Sequence, residues 1–452
     1  MLFVRTILFS GCTLCLLAQS DTAQPDSSQA GAGGEYGGPA ILSRGENPGS
    51  QSVSPLAFRP YIGVNAIYDY GLIPVRLTST GGIPSTSLYG VEANLGAYTV
   101  RTWNRTTLAL DYRGDFRHYP TNATWDGTDQ FLSLILTHRP SRRVKVTVRE
   151  QGGLYSRNFF ISSTLGALDP NYLGIPQNDI YDDRVVFAGV SADTTYQMSA
   201  RLSFNIGGEG SLVRRQSSAL YGVTEAVARG DLQYRVSRHS TLGVDYRFTY
   251  FVYTRGFGST AIQSVGINYS TQFSRQLQLS ARIGGALVES SNLTEITLSP
   301  ALAALLGESV AIQAAYTRTY APDIQVRLID KFQLSQLSLA YFNSVIPGNG
   351  VYFSSRNESG TISYSYSGVR YWNFGVDATY GRMAPLVQQI GSYTAYGGGV
   401  GVTRELGKGL HTVLRLDTRH YGVANSAIAA HTEYRATLGL TYSPGDIPLV
   451  LW

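Results

Sequence analysis

The stretch that decides the fold is LHTVLRLDTRHYGVANSAIAAHTEYRATLGLTY, residues 410–442. In both halves of this stretch apolar side chains occupy every second position. Charged side chains stand between them: Arg415, Asp417, Arg419, Glu433 and Arg435. A period of two over about ten residues indicates a β-strand with one apolar and one polar face. A soluble sandwich would pack the apolar face into a core, whereas a barrel in lipid turns it outward and encloses the charges.

The rest of the chain favours the second arrangement. Alternating segments follow one another from Phe58 to Tyr442, and short turns alternate with longer links. The turns are at 104–105, 140–143, 237–239, 274–276 and 407–408, and the links are at 71–88, 120–129, 158–183 and 383–392. Short connections on one rim and long ones on the other are typical of membrane barrels, and a soluble sandwich has no reason to sort them. We therefore predict an all-β fold, a transmembrane antiparallel up-and-down β-barrel of about 18–20 strands over residues 58–443.

Composition agrees with this fold and excludes some functions. Charged residues make up 15% of the chain, below the roughly 25% of soluble proteins. The net charge of +5 is modest, and the chain contains few lysines. Nucleic-acid binding, which needs clustered Lys and Arg, is therefore not expected.

Both ends of the chain carry segments outside the barrel. Arg5 precedes an apolar run that ends in Ala18-Gln19-Ser20, a small-x-small pattern, so residues 1–20 are predicted to be a secretory signal peptide. Cys12 and Cys15 would leave with it, and the remaining chain would hold no cysteine. Residues 21–57 are rich in Gly, Ser, Pro and Gln and predict a disordered periplasmic arm. Residues 444–452 are predicted to be a C-terminal tail.

These features resemble the Gram-negative outer-membrane β-barrels of the porin type. The resemblance covers residues 58–452 and includes Trp452, because the family ends its last strand on an aromatic residue. It implies a multi-pass barrel in the cell outer membrane, in contact with outer-membrane lipid and lipopolysaccharide and inserted by the barrel-assembly machinery. The sequence departs from the family at Pro444 and Pro448, which separate the last clean alternation from the terminal aromatic.

A second point of resemblance concerns the longest link, residues 158–183. In porins the loop at this place folds inward and narrows the pore, with acidic residues facing arginines on the wall. The resemblance implies a constriction loop with acidic residues Asp169, Asp179, Asp182 and Asp183 facing Arg113, Arg117 and Arg149. An ordinary exposed loop with solvated carboxylates is the alternative.

The charged parity of the strands supplies the predicted pore-lining residues. They are Asp111, Arg113, Asp115, Arg117, Arg229, Asp231, Arg235, Asp245, Arg247, Arg415, Asp417, Arg419 and Arg435. One interpretation is that they form cross-strand pairs that stiffen the barrel wall. The other is a water-filled conduit with a weak anion preference, because arginine slightly outnumbers Asp and Glu. The chain shows no metal-ligand spacing, and no cofactor is expected.

The best-supported function is a channel for the passive diffusion of small hydrophilic solutes. A first alternative is an export barrel or anchor that works with periplasmic partners, for example in polysaccharide secretion, with residues 21–57 as the docking element. A second alternative is a hydrolase on the outer rim, since His118 lies near Asp115 and His420 and His431 lie near Asp417 in sequence. Common hydrolase motifs are missing from the sequence, so we predict that the protein is not an enzyme.

Overall fold

The computed structural model describes residues 56–71, 87–156, 184–217, 220–297, 307, 309–348, 350, 352–386, 391–423 and 430–444. The strands, numbered in chain order, are β1 (Leu56–Tyr70), β2 (Ser87–Thr102), β3 (Thr106–His118), β4 (Gly127–His138), β5 (Val144–Ser156), β6 (Arg184–Gln197), β7 (Leu202–Arg215), β8 (Gly222–Arg235), β9 (Ser240–Thr254), β10 (Gly258–Gln272), β11 (Leu277–Thr297), β12 (Val310–Lys331), β13 (Ser335–Ile346), β14 (Ser355–Tyr366), β15 (Trp372–Pro385), β16 (Tyr393–Gly407), β17 (Leu410–Val423) and β18 (His431–Tyr442). A turn of 3-10 helix at Ala123–Trp125 follows β3. Within these ranges no helix combines the length and the apolar character needed to cross a membrane.

The strands form one closed sheet of 18 strands. Each strand pairs antiparallel with the next strand in the chain, and β1 pairs with β18 in register from Ile62↔Tyr442 to Tyr70↔Tyr434. Closure pairs the two strand edges that an open sheet would expose. The predicted fold class, an antiparallel up-and-down barrel, is confirmed.

Side chains along each strand alternate between the outside and the inside of the barrel. On the final hairpin Leu414 is 46% exposed and Leu438 is 59% exposed, whereas Arg435 is only 7% exposed. Large apolar side chains are exposed in the same way around the barrel, including Ile62, Val64, Val190, Ile206, Val244, Val265, Ile283, Val376 and Val400. Aliphatic groups therefore face outward and ionic groups inward, which is the polarity of a membrane barrel and the reverse of a soluble one.

The connections differ in length between the two ends of the barrel. At one end, which we call the near rim, they are short: 103–105, 139–143, 198–201, 236–239, 273–276, 332–334, 367–371 and 408–409. At the other end, the far rim, most are longer: 71–86, 119–126, 157–183, 216–221, 255–257, 298–309, 347–354, 386–392 and 424–430. The predicted sorting of turns and loops is therefore present in the structure.

The strand count is at the lower end of the predicted range because β11 and β14 are each continuous. The sequence pattern breaks within both and predicts two strands in place of each, at 277–288 and 294–304 for β11, and one ending at 357 and one at 361–367 for β14, which gives a total of about 20. In the structure β11 pairs with β12 without interruption from Leu277↔Asp330 to Thr297↔Val310, and β14 pairs with β13 from Ser335↔Tyr366 to Ile346↔Ser355. Pairing of β12 with β13 begins only at Ile324, whereas β10 pairs with β11 as far as Asn292, so the part of β11 and β12 above Ile324 extends past β13 and is called the β11–β12 ribbon. Pro322 lies where β12 has no β13 partner, a position that tolerates its missing N–H.

Glu150 departs from the outward polarity of the wall. It lies on the same face of β5 as Val146 and Val148, opposite Leu134 of β4 and Val190 of β6, and it is exposed. A carboxylate among lipid-facing aliphatic side chains is unfavourable, although by less than the roughly 2–4 kcal/mol of a midplane Arg or Lys. Glu150 is therefore expected to lower the stability of the barrel in the membrane slightly.

Candidate lumen and constriction

All of the predicted pore-lining residues lie on the inward face of the barrel. The strand registers establish this: on β3 the inward residues are Asp111, Arg113, Asp115 and Arg117, on β8 and β9 they are Arg229, Asp231, Arg235, Asp245 and Arg247, and on β17 and β18 they are Arg415, Asp417, Arg419 and Arg435. This orientation is the one that a pore-lining role requires. The role itself stays a prediction.

Several inward arginines have acidic partners across an intervening strand. Arg229 on β8 donates from Nε and Nη2 to Asp193 on β6, at 2.8 and 2.6 Å. Gly207 on β7 lies between them, and a Cβ at this position would overlap the Asp193 carboxylate. The missing side chain of the glycine therefore lets the ion pair cross a whole strand.

The same arrangement recurs elsewhere on the wall. Arg282 on β11 donates from Nε and Nη2 to Asp245 on β9 at 2.9 and 2.7 Å, over Gly266 on β10. On the other side of the barrel Arg415 on β17 reaches Asp377 on β15 at 2.7 Å across the glycines of β16. Charge-assisted, bidentate pairs of this kind hold the guanidinium groups flat against the wall. They therefore narrow the lumen less than an extended side chain would.

Arg247 differs from its neighbours because no carboxylate is paired with it. It lies directly opposite Arg229 on β8 and is flanked by Ser264 on β10. Within the described part of the chain it makes no hydrogen bond or ion pair, and its Nε is buried without an acceptor. A guanidinium group keeps its charge in such surroundings and binds carboxylates and phosphates in a bidentate manner. Among the described residues, Arg247 is therefore an inward cation whose guanidinium group is not held by a carboxylate.

Closer to the far rim the ion pairs are buried. Arg117 on β3 pairs with Asp129 on β4, with 1% and 2% of the two side chains exposed, and it also donates to the Ser156 carbonyl. The Ser156 N–H in turn donates to Asp129 at 2.9 Å. The Ser156 backbone therefore supports both members of this buried pair.

The closing seam of the barrel carries a similar pair. Arg435 on β18 donates from Nε to Asp69 on β1 at 2.6 Å, and Asp69 also accepts a hydrogen bond from Tyr119 at 2.6 Å. Burial raises the pKa of the Tyr119 phenol, so its hydroxyl remains a donor. The first and last strands are thus joined by side chains as well as by the backbone ladder.

The segment 347–354, which connects β13 to β14 and is described at 347–348, 350 and 352–354, folds into the barrel at the far rim. Ser354 Oγ lies 3.1 Å from Tyr253 Oη and 3.2 Å from Ser290 Oγ, on the inward faces of β9 and β11. The ring of Phe353 lies 4.6 Å from that of Tyr253. Tyr253 belongs to β9, which β10–β12 separate from β13, so the segment reaches across part of the interior.

The other side of the same segment contacts a different part of the wall. Tyr352 donates from Oη to the Gly391 carbonyl at 2.8 Å and packs against Tyr393 of β16, with ring centroids 5.7 Å apart. Apolar side chains of β4–β13 form a buried cluster beside the segment: Phe131, Tyr155, Val185, Phe187, Val213, Val223, Phe251, Tyr253, Ile262, Ala286, Val288, Ala321 and Val345. The segment 347–354 therefore narrows the far half of the barrel.

The predicted constriction loop is a different link from this segment, since it connects β5 to β6. Residues 158–183, with the candidate acids Asp169, Asp179, Asp182 and Asp183, lie outside the described residues, as do residues 1–55 and 445–452. Of the arginines expected to face those acids, Arg117 pairs with Asp129 and Arg113 pairs with Asp111 on its own strand. The inward segment that the structure describes, 347–354, was not predicted.

Sequence reasoning also missed several acidic partners. They are Asp69, Asp129, Asp193, Glu209 and Asp323, all on inward faces. Asp193 lies on the inward parity of β6, so the alternation could have identified it as a lumen residue. The same face also carries the apolar Val185 and Phe187, which hides the polar character of that parity. These acids offset the slight excess of arginine in the sequence. An anion preference would therefore depend on the position of Arg247 rather than on the net charge of the wall.

Of the histidines considered for a hydrolase, His118 and His420 lie in the described part of the structure and do not face their aspartates, whereas the side chain of His431 lies outside it. His118 faces outward and its Nδ1 lies 2.8 Å from Asp126, whereas Asp115 faces inward. His420 also faces outward and lies 2.8 Å from Thr432 Oγ1, away from the inward Asp417. The sequence neighbours of the second alternative are thus on opposite faces of their strands.

Comparison with known proteins gives structural neighbours only. No protein-family description matches the chain, and no curated protein matches it. The structure is similar to Pseudomonas aeruginosa OccK2 (OpdF) solved in complex with glucuronate, with 13% identity and a TM-score of 0.42 over 85% of this chain and 98% of that one. It is also similar to Acinetobacter baumannii OccAB4, with 12% identity and a TM-score of 0.40 over 85% and 98% of the two chains. Pseudomonas aeruginosa OpdQ matches with 10% identity and a TM-score of 0.40 over 87% and 98%.

Proposed function

We propose that the protein is an outer-membrane channel through which small hydrophilic solutes diffuse passively. The observation that carries the proposal is a closed barrel of 18 strands that turns aliphatic side chains outward and ionic side chains inward. Barrels of this size enclose an aqueous channel unless the interior is plugged. Charged residues midway along the lumen, such as Arg229 and Asp193, keep 21% and 23% of their side chains exposed, which supports a hydrated interior there.

Selectivity in this proposal comes from two features of the lumen. The segment 347–354 limits the width at the far rim. Below it, Arg247 offers a guanidinium group without a paired carboxylate, beside the neutralised Arg229. Fixed charge in a narrow, partly desolvated passage biases the ions that enter it. The proposed channel therefore has a weak preference for anions.

The test is conductance of the purified protein in planar lipid bilayers. We expect steady, ohmic steps, and in a KCl gradient a reversal potential displaced slightly toward that of chloride. Arg247→Gln should move the reversal potential toward that of potassium, because a cation without a directly paired carboxylate is lost. Arg318→Gln is the matched control, since Arg318 faces outward on the β11–β12 ribbon and pairs with Glu289. It should leave the reversal potential unchanged.

Two outcomes would count against the proposal in different ways. Absence of conductance steps from correctly folded protein contradicts the channel itself. If deletion of the protein also blocks polymer secretion, the export barrel with its periplasmic docking arm becomes the better explanation. Unchanged selectivity in Arg247→Gln, with normal conductance, contradicts only the role of Arg247.

A further inference from the structure

The outward face of β11 and β12 changes its chemistry along its length. Toward the near rim the outward rows are aliphatic, for example Ile283 opposite Ile324. A charged row follows on the β11–β12 ribbon, where Arg318 and Glu289 lie 3.4 Å apart with 64% and 48% of their side chains exposed. Beyond this row the described outward side chains are mostly apolar again. They form what we call the ribbon surface: Ser291, Leu293, Val310, Ile312, Ala314 and Tyr316.

The ribbon surface lies outside the hydrocarbon of a bilayer. A strand that crosses a membrane needs about 9–11 residues, whereas β12 has 22 residues. About 11 residues from Lys331, at the near rim, the strand has reached Ala321. Tyr320 is then at the boundary with the headgroups, where tyrosine is common, and Tyr316 lies beyond it. Given the proposed location of the barrel in a membrane, acyl chains therefore do not cover the ribbon surface.

The apolar side chains here are unusually exposed. Tyr316 is 82% exposed, Tyr320 80% and Ile312 71%, the highest values for large apolar side chains among the described residues. Exposed apolar patches mark contact surfaces, and an isolated two-stranded ribbon is marginally stable in water. Tyr316 and Tyr320 together expose roughly 250–400 Å², a third to a half of the about 800 Å² that each partner buries in a standard interface. A partner that covers these side chains would therefore stabilise the ribbon.

The membrane restricts which partner can reach the ribbon surface. The surface faces away from its own barrel, so its partner stands beside the barrel in the same membrane. Two copies of this chain in one membrane share an orientation, and a two-fold axis normal to the membrane turns their outward faces toward each other. Barrel strands tilt by about 35–45°, so two ribbons related by this axis cross at twice that angle, roughly 70–90°. This is close to the orthogonal packing of two sheets.

A second copy also fits the chemistry of the surface. The charges of Arg318 and Glu289 already offset each other within one ribbon, so two such faces do not repel. Gln263 on β10, one row below Glu289, faces outward and is exposed. Its side-chain amide has no hydrogen-bond partner within the described part of the chain. An amide both donates and accepts, so two copies of Gln263 that meet across a two-fold axis satisfy each other.

We propose that the ribbon surface is the contact face of a homodimer whose two-fold axis is normal to the membrane. Tyr316 and Ile312 form the apolar centre of the contact, outside the lipid. The pairs of Arg318 with Glu289 lie at its lower edge, and Gln263 meets its equivalent below them. Each barrel keeps its own lumen, so the dimer neither requires nor alters conduction.

The test is the oligomeric state of the purified full-length protein, measured by native mass spectrometry over a range of protein concentrations. We expect a dimer. Ile312→Asp places a carboxylate at the apolar centre and should raise the dissociation constant of the dimer at least tenfold. Because Ile312 is 71% exposed, the barrel should still fold. Tyr89→Asp is the matched control, since Tyr89 also faces outward near the far rim and is 67% exposed, but lies on β2. It should dimerise as the unaltered protein does.

Disulfide formation in vesicles locates the axis. In a chain with Cys12 and Cys15 replaced by serine, Tyr316→Cys should form a linked dimer on oxidation, and Tyr89→Cys should not. An unaltered protein that stays monomeric over the whole range overturns the proposal, whether or not lipid remains bound to it. So does an undiminished dimer of Ile312→Asp, or linkage through Tyr89→Cys alone. Bilayer conductance is a separate readout: its absence contradicts the channel and leaves the oligomer measurement interpretable.

Discussion

Two ion pairs on the inner wall use the same chemistry in different surroundings. Arg117 and Asp129, near the far rim, are almost fully buried, and the backbone of Ser156 contacts both of them. Arg229 and Asp193, midway along the lumen, are about a fifth exposed. Removing one partner of a buried ion pair strongly destabilises a protein, because the other charge is left buried and unpaired. An exposed pair contributes little to stability, so removing one of its partners has a small effect. The comparison indicates that the far-rim charges support the wall, and that the mid-lumen charges are available to solutes.

Breaking the buried pair should have the largest effect. Arg117→Met leaves the Asp129 carboxylate without its cation inside the protein, and we expect a loss of about 3–5 kcal/mol in the free energy of unfolding. The measurement is reversible denaturant unfolding of the barrel in lipid vesicles. Arg229→Met is the comparison, with an expected loss of about 1 kcal/mol or less because the pair is partly hydrated. Equal losses in the two variants would contradict the division between supporting and accessible charges.

Filling the gap beneath the exposed pair should have a smaller effect on stability. Gly207→Val places a side chain where the Asp193 carboxylate lies, which forces the pair with Arg229 apart. We expect a loss of about 1–3 kcal/mol, the usual cost of overpacking. Gly208→Val is the matched control, because Gly208 faces outward and the nearest atom to its added Cβ is 3.4 Å away. If Gly208→Val lowers the free energy of unfolding as much as Gly207→Val does, the space between Asp193 and Arg229 is not what makes Gly207 necessary.

Removing the mid-lumen cation should change selectivity more than stability. In Arg229→Gln the Asp193 carboxylate remains in the passage, so the reversal potential in a KCl gradient should move toward that of potassium. The same substitution at the far rim, Arg117→Gln, should leave the reversal potential of the folded fraction close to that of the unaltered protein. A larger shift of the reversal potential in Arg117→Gln than in Arg229→Gln would mean that ions pass close to Arg117, and would contradict the division of the wall proposed above.

The lipid-facing carboxylate gives the smallest predicted effect and the opposite sign. Glu150→Leu should raise the free energy of unfolding in vesicles by about 1 kcal/mol, since Glu150 faces outward among aliphatic residues. Glu289→Leu serves as the control, because Glu289 lies on the β11–β12 ribbon and pairs with Arg318. It should not stabilise the barrel. A loss of stability in Glu150→Leu would mean that Glu150 does not face hydrocarbon.

The sequence was sufficient to predict the fold and the orientation of the wall. A strict period of two with arginine on one parity allows only one face to meet lipid, so Leu414 and Arg415 could be assigned correctly without coordinates. The strand count could not be fixed in the same way, because the breaks in alternation within β11 and β14 hide their continuity. Strand signals in such barrels are individually weak.

The site could be predicted only in part because its contacts join distant residues. Tyr253 and Ser354 lie 101 positions apart, and Asp69 and Arg435 lie 366 apart. Neither pairing leaves a local pattern in the sequence. The inward path of 347–354 depends on the arrangement of several strands at once, and alternation within one strand contains no information about it. Acidic partners such as Asp193 do lie on the inward parity of their strands. They could not be recognised from the sequence, because apolar residues occupy the same parity.

The most direct test of the account is the chemical accessibility of two adjacent residues on β18. In a chain with Cys12 and Cys15 replaced by serine, Thr437→Cys and Leu438→Cys would be probed separately in intact vesicles. The reagents would be a membrane-impermeant methanethiosulfonate and a lipid-soluble maleimide. We predict that Thr437→Cys reacts with the impermeant reagent and Leu438→Cys only with the lipid-soluble one, because residue 437 faces inward and residue 438 outward. The reverse result would contradict a watery interior enclosed by an apolar outer surface.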